Sequence, residues 1–432
     1  MKNSDKVTRI SYVIEAGFEY FISLFVTGTM LGYILDTIGF SDAMQGVIST
    51  VATFTCGAQL FALVLVGRRR KRIVTLGHMI NQLCFTCLYL LPIFNIPPLV
   101  KTVLLMVLLF SGHIINNAIN PAKITWLMSS VPNDRRGTFT AIKEMVSLAG
   151  GIAVSVYFGA IADTFRDATG MPTRPYYIIC GVAILTMMVI HTVTLVISTE
   201  KPEPQVSRVS VGATVRRLVK NRDLIKVIGV GIAWNIAAAV ATSFYASYLR
   251  QELAFSFTAI ASMATIGSIC RILVSPLLGK IADKYSFAVS MTLSFICVGL
   301  AFLTMAFATP KTRLLYIAYI CLHSFAMAGI NSGIINLVYD YVVPQDRAVA
   351  MGVKNALGGI LGFLTALLSG LVLGKIQSAG GLHIFGVTLY AQQVLSASAC
   401  VVVILLIVYM KLIIFPLRKV DPELPSGDTQ KN

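Results

Sequence analysis

The chain has 432 residues, of which 56% are hydrophobic and 12% are charged, and its formal net charge is +16. A soluble protein of this length could not keep so much apolar surface in contact with water, so the composition indicates an integral membrane protein without an enzyme-sized soluble domain. The basic residues do not form a stripe interleaved with aromatic residues, which argues against nucleic-acid binding as the reason for the charge.

Twelve apolar runs are long enough to cross a bilayer, which takes about 20 residues per helix. In chain order they cover approximately residues 10–35, 43–66, 73–92, 100–128, 138–161, 176–197, 225–249, 258–278, 287–308, 314–341, 348–375 and 389–414. We therefore predict an all-α fold with two six-helix bundles at 1–197 and 225–414. A cytoplasmic linker at 198–224 would join them, with an amphipathic surface helix near 211–220, and 415–432 would form a polar tail.

Lysine and arginine are concentrated in alternate connections: the N-terminal segment, residues 68–72, the linker and the tail are rich in them. Because basic loops stay on the cytoplasmic side, we predict a multi-pass protein of the plasma membrane with both termini in the cytoplasm. All eight cysteines fall inside predicted spans, where small apolar packing is their expected role.

A short motif occurs once in each half. Residues 131–144 read VPNDRRGTFTAIKE and residues 343–355 read VPQDRAVAMGVKN, and each is followed by a glycine pair, Gly150-Gly151 or Gly358-Gly359. Repetition of half the chain in a membrane protein indicates two related bundles that handle something between them.

The sequence resembles the major facilitator superfamily. Residues 279–285 read GKIADKY, which is similar to the family signature G-x-L-A-D-R-x-G-R-R at the cytoplasmic end of helix 2 or helix 8. The basic run Gly67–Arg72 lies in the corresponding place after the second span, although it lacks the aspartate. With the spans, the linker and the repeat, the resemblance covers essentially the whole chain. It implies alternating access, in which two bundles rock around a central site.

The resemblance also suggests how the cytoplasmic side would close. Asp283 could meet the positive N-terminal end of a helix across the interface. Glu144 on the fifth span and Arg271 on the eighth lie at matching depth with opposite sign, so we predict an ion pair between the halves. The alternatives are solvated charges, pairing of Lys143 with Glu15, or snorkelling. The gating candidates are Arg135, Arg136, Lys143, Glu144, Arg271, Asp283, Lys284 and Lys354.

Two carboxylates lie on one face of the first span, since Glu15 and Glu19 are four residues apart. Ionisable groups inside a membrane are costly and are functional candidates by default. Two adjacent carboxyl groups beside a cavity would titrate together, which proton coupling requires. We therefore predict proton coupling at Glu15 and Glu19; the alternative is a structural pair hydrogen-bonded within the first half.

The fourth span carries a polar stripe that predicts a wet cavity. The substrate-binding candidates are His113, Asn116, Asn117 and Asn120 on this span, with Trp234 and Asn235 on the seventh. Amides and aromatic rings together suit a hydroxylated solute. Packing is the alternative for His113 and the expected role of His78, His191 and His323, whereas Lys123 could snorkel to the cytoplasmic interface.

The sequence as a whole predicts a monomeric secondary transporter that takes up a small polar, sugar-like solute by proton symport. One alternative is efflux of drugs or amphipathic cations. The resemblance disfavours it, because many drug-proton antiporters of the superfamily carry a Gly-Pro-x-x-Gly-Gly segment on the fifth span and this sequence does not. Another is a membrane sensor or scaffold that does not transport. No nucleotide-binding loop, metal-ligand cluster or nucleophile arrangement occurs in the sequence, so we expect no enzymatic activity, cofactor or metal.

Overall fold

The computed structural model describes residues 2–59, 70–128, 130–131, 136–168, 170–200, 216, 218, 220–342, 347–384 and 387–417. The described helices of the first half are α1 Lys2–Phe25, α2 Gly28–Ile38, α3 Asp42–Ser49, α4 Val51–Phe54, α5 Arg70–Leu90, α6 Pro98–Met128, α7 Arg136–Thr164 and α8 Arg174–Ile197. Those of the second half are α9 Arg222–Ala241, α10 Tyr245–Gln251, α11 Phe257–Lys284, α12 Phe287–Ala306, α13 Leu315–Tyr339, α14 Arg347–Ser378 and α15 Ala391–Tyr409.

Among the described residues, 11 helical segments are long and apolar enough to cross a membrane. The predicted second span begins as α3 and α4 and continues as a 3-10 helix, Thr55–Ala58, before leaving the described part of the chain after residue 59. The prediction of a helical, multi-span fold is therefore confirmed. The linker and its predicted amphipathic helix fall largely outside the described residues.

Two predicted spans are divided in the structure. The first consists of α1 and α2, separated at Val26 and Thr27, and α2 begins at Gly28 with a φ of +54°, a conformation that glycine adopts without strain. The seventh consists of α9 and α10, joined by a 3-10 helix at Thr242–Phe244. Both breaks lie inside apolar runs, so hydrophobicity alone does not reveal them.

The structure also adds a feature that an all-α prediction omits. A hairpin of β1 Leu382–Ile384 and β2 Val387–Leu389 follows α14. His383 is an exposed residue of this hairpin.

The repeated glycine pairs allow helices to approach closely. A Cβ atom on Gly150 would lie 2.2 Å from the ring of Phe21, so α7 packs tightly against α1. A Cβ atom on Gly359 would lie 2.1 Å from the carbonyl oxygen of Thr53, which belongs to the other half. The halves therefore meet where α14 packs on α3 and α4, and also where α7 packs on α11.

Candidate functional site

A buried ion cluster lies in the first half and consists of Glu15, Glu19, Lys123 and His191. The ammonium of Lys123, on α6, is 2.8 Å from Glu15 Oε1 and also bonds the Glu19 carboxylate. The i,i+4 spacing on α1 presents both carboxylates to Lys123. Lys123 is 2% exposed and Glu15 1%, whereas Glu19 is 26% exposed.

His191 completes the cluster from α8. Its Nε2 lies 3.2 Å from Glu15 Oε1, and its Nδ1 lies 3.1 Å from Gln82 Nε2. Because an amide nitrogen can only donate, Nδ1 accepts from Gln82 and a neutral His191 donates its Nε2 proton to Glu15. His191 was expected to serve only helix packing, but it also forms hydrogen bonds with Glu15 and Gln82.

His78 lies next to this cluster, with its ring centroid 4.9 Å from that of His191. Both of its ring nitrogens are buried and form no hydrogen bond in the described part of the chain. The donor atoms of Glu15, His78 and His191 all lie within 4.8 Å of one another, a spacing that could hold a metal ion. However, the Lys123 ammonium 2.8 Å from Glu15 places a positive charge beside these donors and disfavours a cation there.

The charges of the buried ion cluster separate the roles of its two carboxylates. Two carboxylates and one ammonium leave one excess negative charge when His191 is neutral. Glu15 is fully buried and bonded to both Lys123 and His191, whereas Lys123 is the only described partner of Glu19. Glu19 is consequently the carboxyl that water can reach, and Glu15 is the fixed counter-charge.

A chain of hydrogen-bonded polar side chains crosses between the halves, and we call it the amide chain. Gln59 donates to Asn117 Oδ1 over 3.3 Å, and Asn355 of α14 donates to Gln59 Oε1 over 3.1 Å. Lys354 Nζ then donates to Asn355 Oδ1 over 2.8 Å. The structure thus joins two predicted residues, Asn117 and Lys354, through Gln59 and Asn355, which sequence analysis missed.

The other predicted substrate residues are distributed differently. His113 is buried against Phe85, with ring centroids 5.2 Å apart, which matches the packing alternative. Trp234 is 6% exposed and packs near Phe295 inside the second half. Asn235 packs against α14 at Gly358, while the remaining two candidates, Asn116 and Asn120, are half-buried on α6.

The gating candidates are described only in part. Lys143 Nζ lies 5.0 Å from the ring centroid of Tyr12, and the exposed Lys284 lies 5.3 Å from that of Tyr285. Glu15 pairs with Lys123 rather than with Lys143. Arg135 and the side chains of Arg136, Glu144 and Asp283 lie outside the described part of the structure, so the predicted Glu144–Arg271 pair stays a prediction.

The halves are held together at the distal face, by which we mean the helix ends next to loops 39–41, 165–173 and 252–256. Arg250 of α10 forms an ion pair of 2.8 Å with Asp36 of α2 and donates to Gln45 over 2.9 Å. The two charged side chains are only 6% and 8% exposed.

A second distal contact joins α7 to the start of α11. The carboxylate of Asp163 accepts hydrogen bonds from the backbone nitrogens of Phe257 (3.3 Å) and Thr258 (2.9 Å), and from the Thr258 hydroxyl. A negative charge at a helix N-terminus is favourable because the first N–H groups lack partners within the helix. This is the type of contact predicted for Asp283, found here on the opposite face. We refer to Asp36, Gln45, Arg250 and Asp163 as the distal latch.

Two further carboxyl groups meet near the distal latch. Burial raises the pKa of Asp42, which accepts a hydrogen bond from Gln377 of the other half over 3.0 Å. Burial raises the pKa of Glu252 as well, and the charge of Asp42 adds to that rise. Both carboxyl groups therefore hold a proton more readily in this arrangement than a freely exposed carboxyl group does.

Two bundles joined at a distal latch, with buried charge in one bundle and polar groups between them, define a multi-span transporter fold. The model of the Major Facilitator Superfamily matches residues 16–246 and 227–431, once for each half. The chain therefore belongs to the Major Facilitator Superfamily. No curated protein sequence matches it.

Solved transporter structures share the fold at low sequence identity. The nucleoside transporter NupG has a TM-score of 0.68 and 16% identity, covering 95% of this chain and 100% of its own. An auto-inhibited peptide transporter of the POT family has a TM-score of 0.69 and 12% identity, covering 98% and 99%. A bacterial homologue of the human lysosomal transporter Spinster, in an inward-facing and unoccupied conformation, has a TM-score of 0.65 and 13% identity, covering 95% of each chain.

Proposed function

We propose that this protein takes up a small polar organic solute by alternating access and that protons moving through Glu19 drive the uptake. In this proposal both termini are cytoplasmic, the protein acts as a monomer in the plasma membrane, and the distal face is the outer face. The observation that carries the proposal is the excess negative charge of the buried ion cluster, which resides on its single water-accessible carboxyl group.

The proton step follows from the charge of the cluster. When Glu19 binds a proton, Glu15 and Lys123 remain as a neutral ion pair and the excess charge disappears. A buried net charge is costly, so the free-energy cost of removing water from around the cluster is lower when Glu19 is protonated than when it is ionised. Closure around the site therefore becomes easier after protonation, which links proton binding to the conformational step.

The amide chain supports a polar solute. Amide groups of Asn117, Gln59 and Asn355 offer both donors and acceptors at the boundary between the halves, where a hydroxylated molecule could exchange hydrogen bonds with them. A solute bound there would contact both halves at once, so its binding would depend on their relative movement.

Efflux of drugs or amphipathic cations is the competing transport function, because the Glu19 carboxylate could also attract a cation. A sensor or scaffold without transport is the third candidate. The buried charges disfavour the scaffold, since a purely structural protein gains nothing from their desolvation cost.

The test begins with a thermal-shift screen of sugars, amino acids, organic acids and cationic drugs on the purified protein. With the solute that binds, we expect Glu19→Gln in proteoliposomes to abolish uphill uptake driven by a proton gradient but to spare counterflow exchange, because exchange does not require the proton to cycle. Glu200→Gln, which removes an exposed acid, is the matched control. Unchanged uphill uptake at all pH values in both Glu15→Gln and Glu19→Gln would exclude these residues from coupling.

A further inference from the structure

The interior of the second half is positively charged. Between residues 225 and 414 the acids are Glu252, Asp283, Asp340 and Asp346. Glu252 and Asp340 follow the last residues of α10 and α13, Asp283 is the penultimate residue of α11, and Asp346 precedes α14 in the sequence. Arg271 and Lys354, in contrast, lie well inside α11 and α14. These helices therefore bring two cations into the membrane and no carboxylate to balance them.

Both cations are located where the halves meet. Arg271 interacts electrostatically with the hydroxyl of Tyr20 on α1 and with the ring of His323 on α13. Lys354 packs its stem over Gly231, donates to Asn355 and interacts electrostatically with the Cys56 thiol of the first half. Each side chain is half-buried.

Neither cation forms an ion pair within the described part of the chain. Glu144, whose side chain lies outside that part, is a single acid and would leave one of the two cations unbalanced even if it paired with Arg271. Unpaired charges inside a membrane are unfavourable and mark binding sites by default. The missing counter-charge is therefore expected to come from a ligand.

We propose that the solute is a hydroxylated organic anion whose carboxylate or phosphate group binds Arg271 and Lys354 while its hydroxyl groups contact the amide chain. This inference rests on the proposed transport function for its role in uptake, but not for the binding itself. Arginine suits such a ligand because its planar guanidinium can donate two parallel hydrogen bonds to an oxyanion.

The arrangement also links the anion to the proton. Glu19 is adjacent to Tyr20, which Arg271 approaches, so an ionised Glu19 repels an anion bound there. Glu19 itself bonds Lys123 of α6. Its neighbours on α1 meet the other charged groups: Glu15 meets His191 of α8, Tyr12 meets Lys143 of α7, and Tyr20 meets Arg271 of α11. Protonation of Glu19 removes one negative charge from this surrounding and strengthens binding of the anion.

The binding test uses three probes with the same sugar ring: glucose, glucuronate and glucose 6-phosphate. On purified full-length protein we expect one or both anions to bind and glucose to bind at least about tenfold more weakly. The two anions distinguish a carboxylate site from a phosphate site. Arg271→Gln and Lys354→Gln should each weaken the anion by at least about tenfold, whereas Lys375→Gln, at an exposed position on the same helix as Lys354, should not. Equal binding of glucose, or no binding of either anion, overturns the proposal.

A second measurement requires no ligand. Replacing an unbalanced interior cation removes its desolvation cost. Because Lys354 also donates a hydrogen bond to Asn355, the comparison is made in Asn355→Ala, where adding Lys354→Met should raise the melting temperature of the ligand-free protein at low ionic strength. A lower melting temperature in that background would show that Lys354 has a further stabilising partner and would contradict the proposal.

A charge-neutral variant separates this proposal from the proposed coupling. For the anion that binds, Glu19→Gln, which removes a negative charge from the buried ion cluster, should bind more tightly than the wild type at the same pH. Comparing the two proteins at one pH cancels the ionisation of the probe itself. If the protein prefers the anions to glucose but Glu19→Gln does not change their affinity, the anion site is retained and its coupling to Glu19 is rejected.

Discussion

At the scale of single residues, Lys123 determines the state of both carboxylates on α1. It is 2% exposed and pairs with Glu15, which is 1% exposed. Removing one partner of a buried ion pair leaves an uncompensated charge, which typically costs about 3–5 kcal/mol, whereas removing both partners costs much less.

We therefore expect Lys123→Met to destabilise the protein by about 3–5 kcal/mol and the double variant with Glu15→Gln to recover much of that loss. Chemical unfolding in detergent measures both effects. Lys143→Met is the matched control, because the half-buried Lys143 lies over the Tyr12 ring, a contact worth about 0.5–2 kcal/mol. Equal losses for Lys123→Met and Lys143→Met would show that Lys123 does not balance a buried charge.

The sequence predicts part of this cluster and not the rest, for a physical reason. Helical spacing is enough to place Glu15 and Glu19 on one face. Their partners Lys123 and His191 lie on other helices, and which partner a carboxylate meets depends on the rotation of each helix about its axis. Hydrophobic periodicity defines that rotation poorly when a helix is apolar on most sides. Lys123 therefore looked like a snorkelling residue and His191 like a packing residue.

At the scale of helices, the distal end of α7 acts on the start of α11. The fifth apolar run in the sequence ends at about residue 161, whereas α7 continues to Thr164 and carries Asp163 to the first turn of α11. The spans themselves were predictable from their apolar length. A capping contact between two helices far apart in sequence was not, because capping patterns in a sequence refer to residues of the same helix.

Asp163→Ala should weaken closure of the distal face by about 0.5–2 kcal/mol, the range for loss of a capping side chain. Spin labels at Ala168 and Ala254, two exposed distal positions, would report a larger fraction of long distances. Ser256→Ala is the control: Ser256 caps α11 itself by accepting from Ala259 N over 3.2 Å, so its loss should lower stability without separating the halves. A distance distribution unchanged by Asp163→Ala would mean that this contact does not hold the face closed.

At the scale of the whole molecule, alternating access requires two sets of contacts that oppose each other. The distal latch connects the halves in this structure. The predicted contacts of Asp283 and of Glu144 with Arg271 would connect them at the opposite face. The conformational equilibrium then depends on the difference between the two sets, because each stabilises only one of the two states.

This opposition makes a double variant informative. Arg250→Gln leaves the buried Asp36 without its counter-ion only while the distal face is closed, so it should shift the population toward the distal-open state by about tenfold or more. Asp283→Asn removes a charge at a helix end, worth about 0.3–1 kcal/mol, and should shift the population the other way by a smaller factor. The combined variant should lie between the two single variants when distances are measured across both faces. If Asp283→Asn instead increased the distal-open fraction, or left it unchanged in the presence of Arg250→Gln, Asp283 would not belong to a gate that opposes the distal latch.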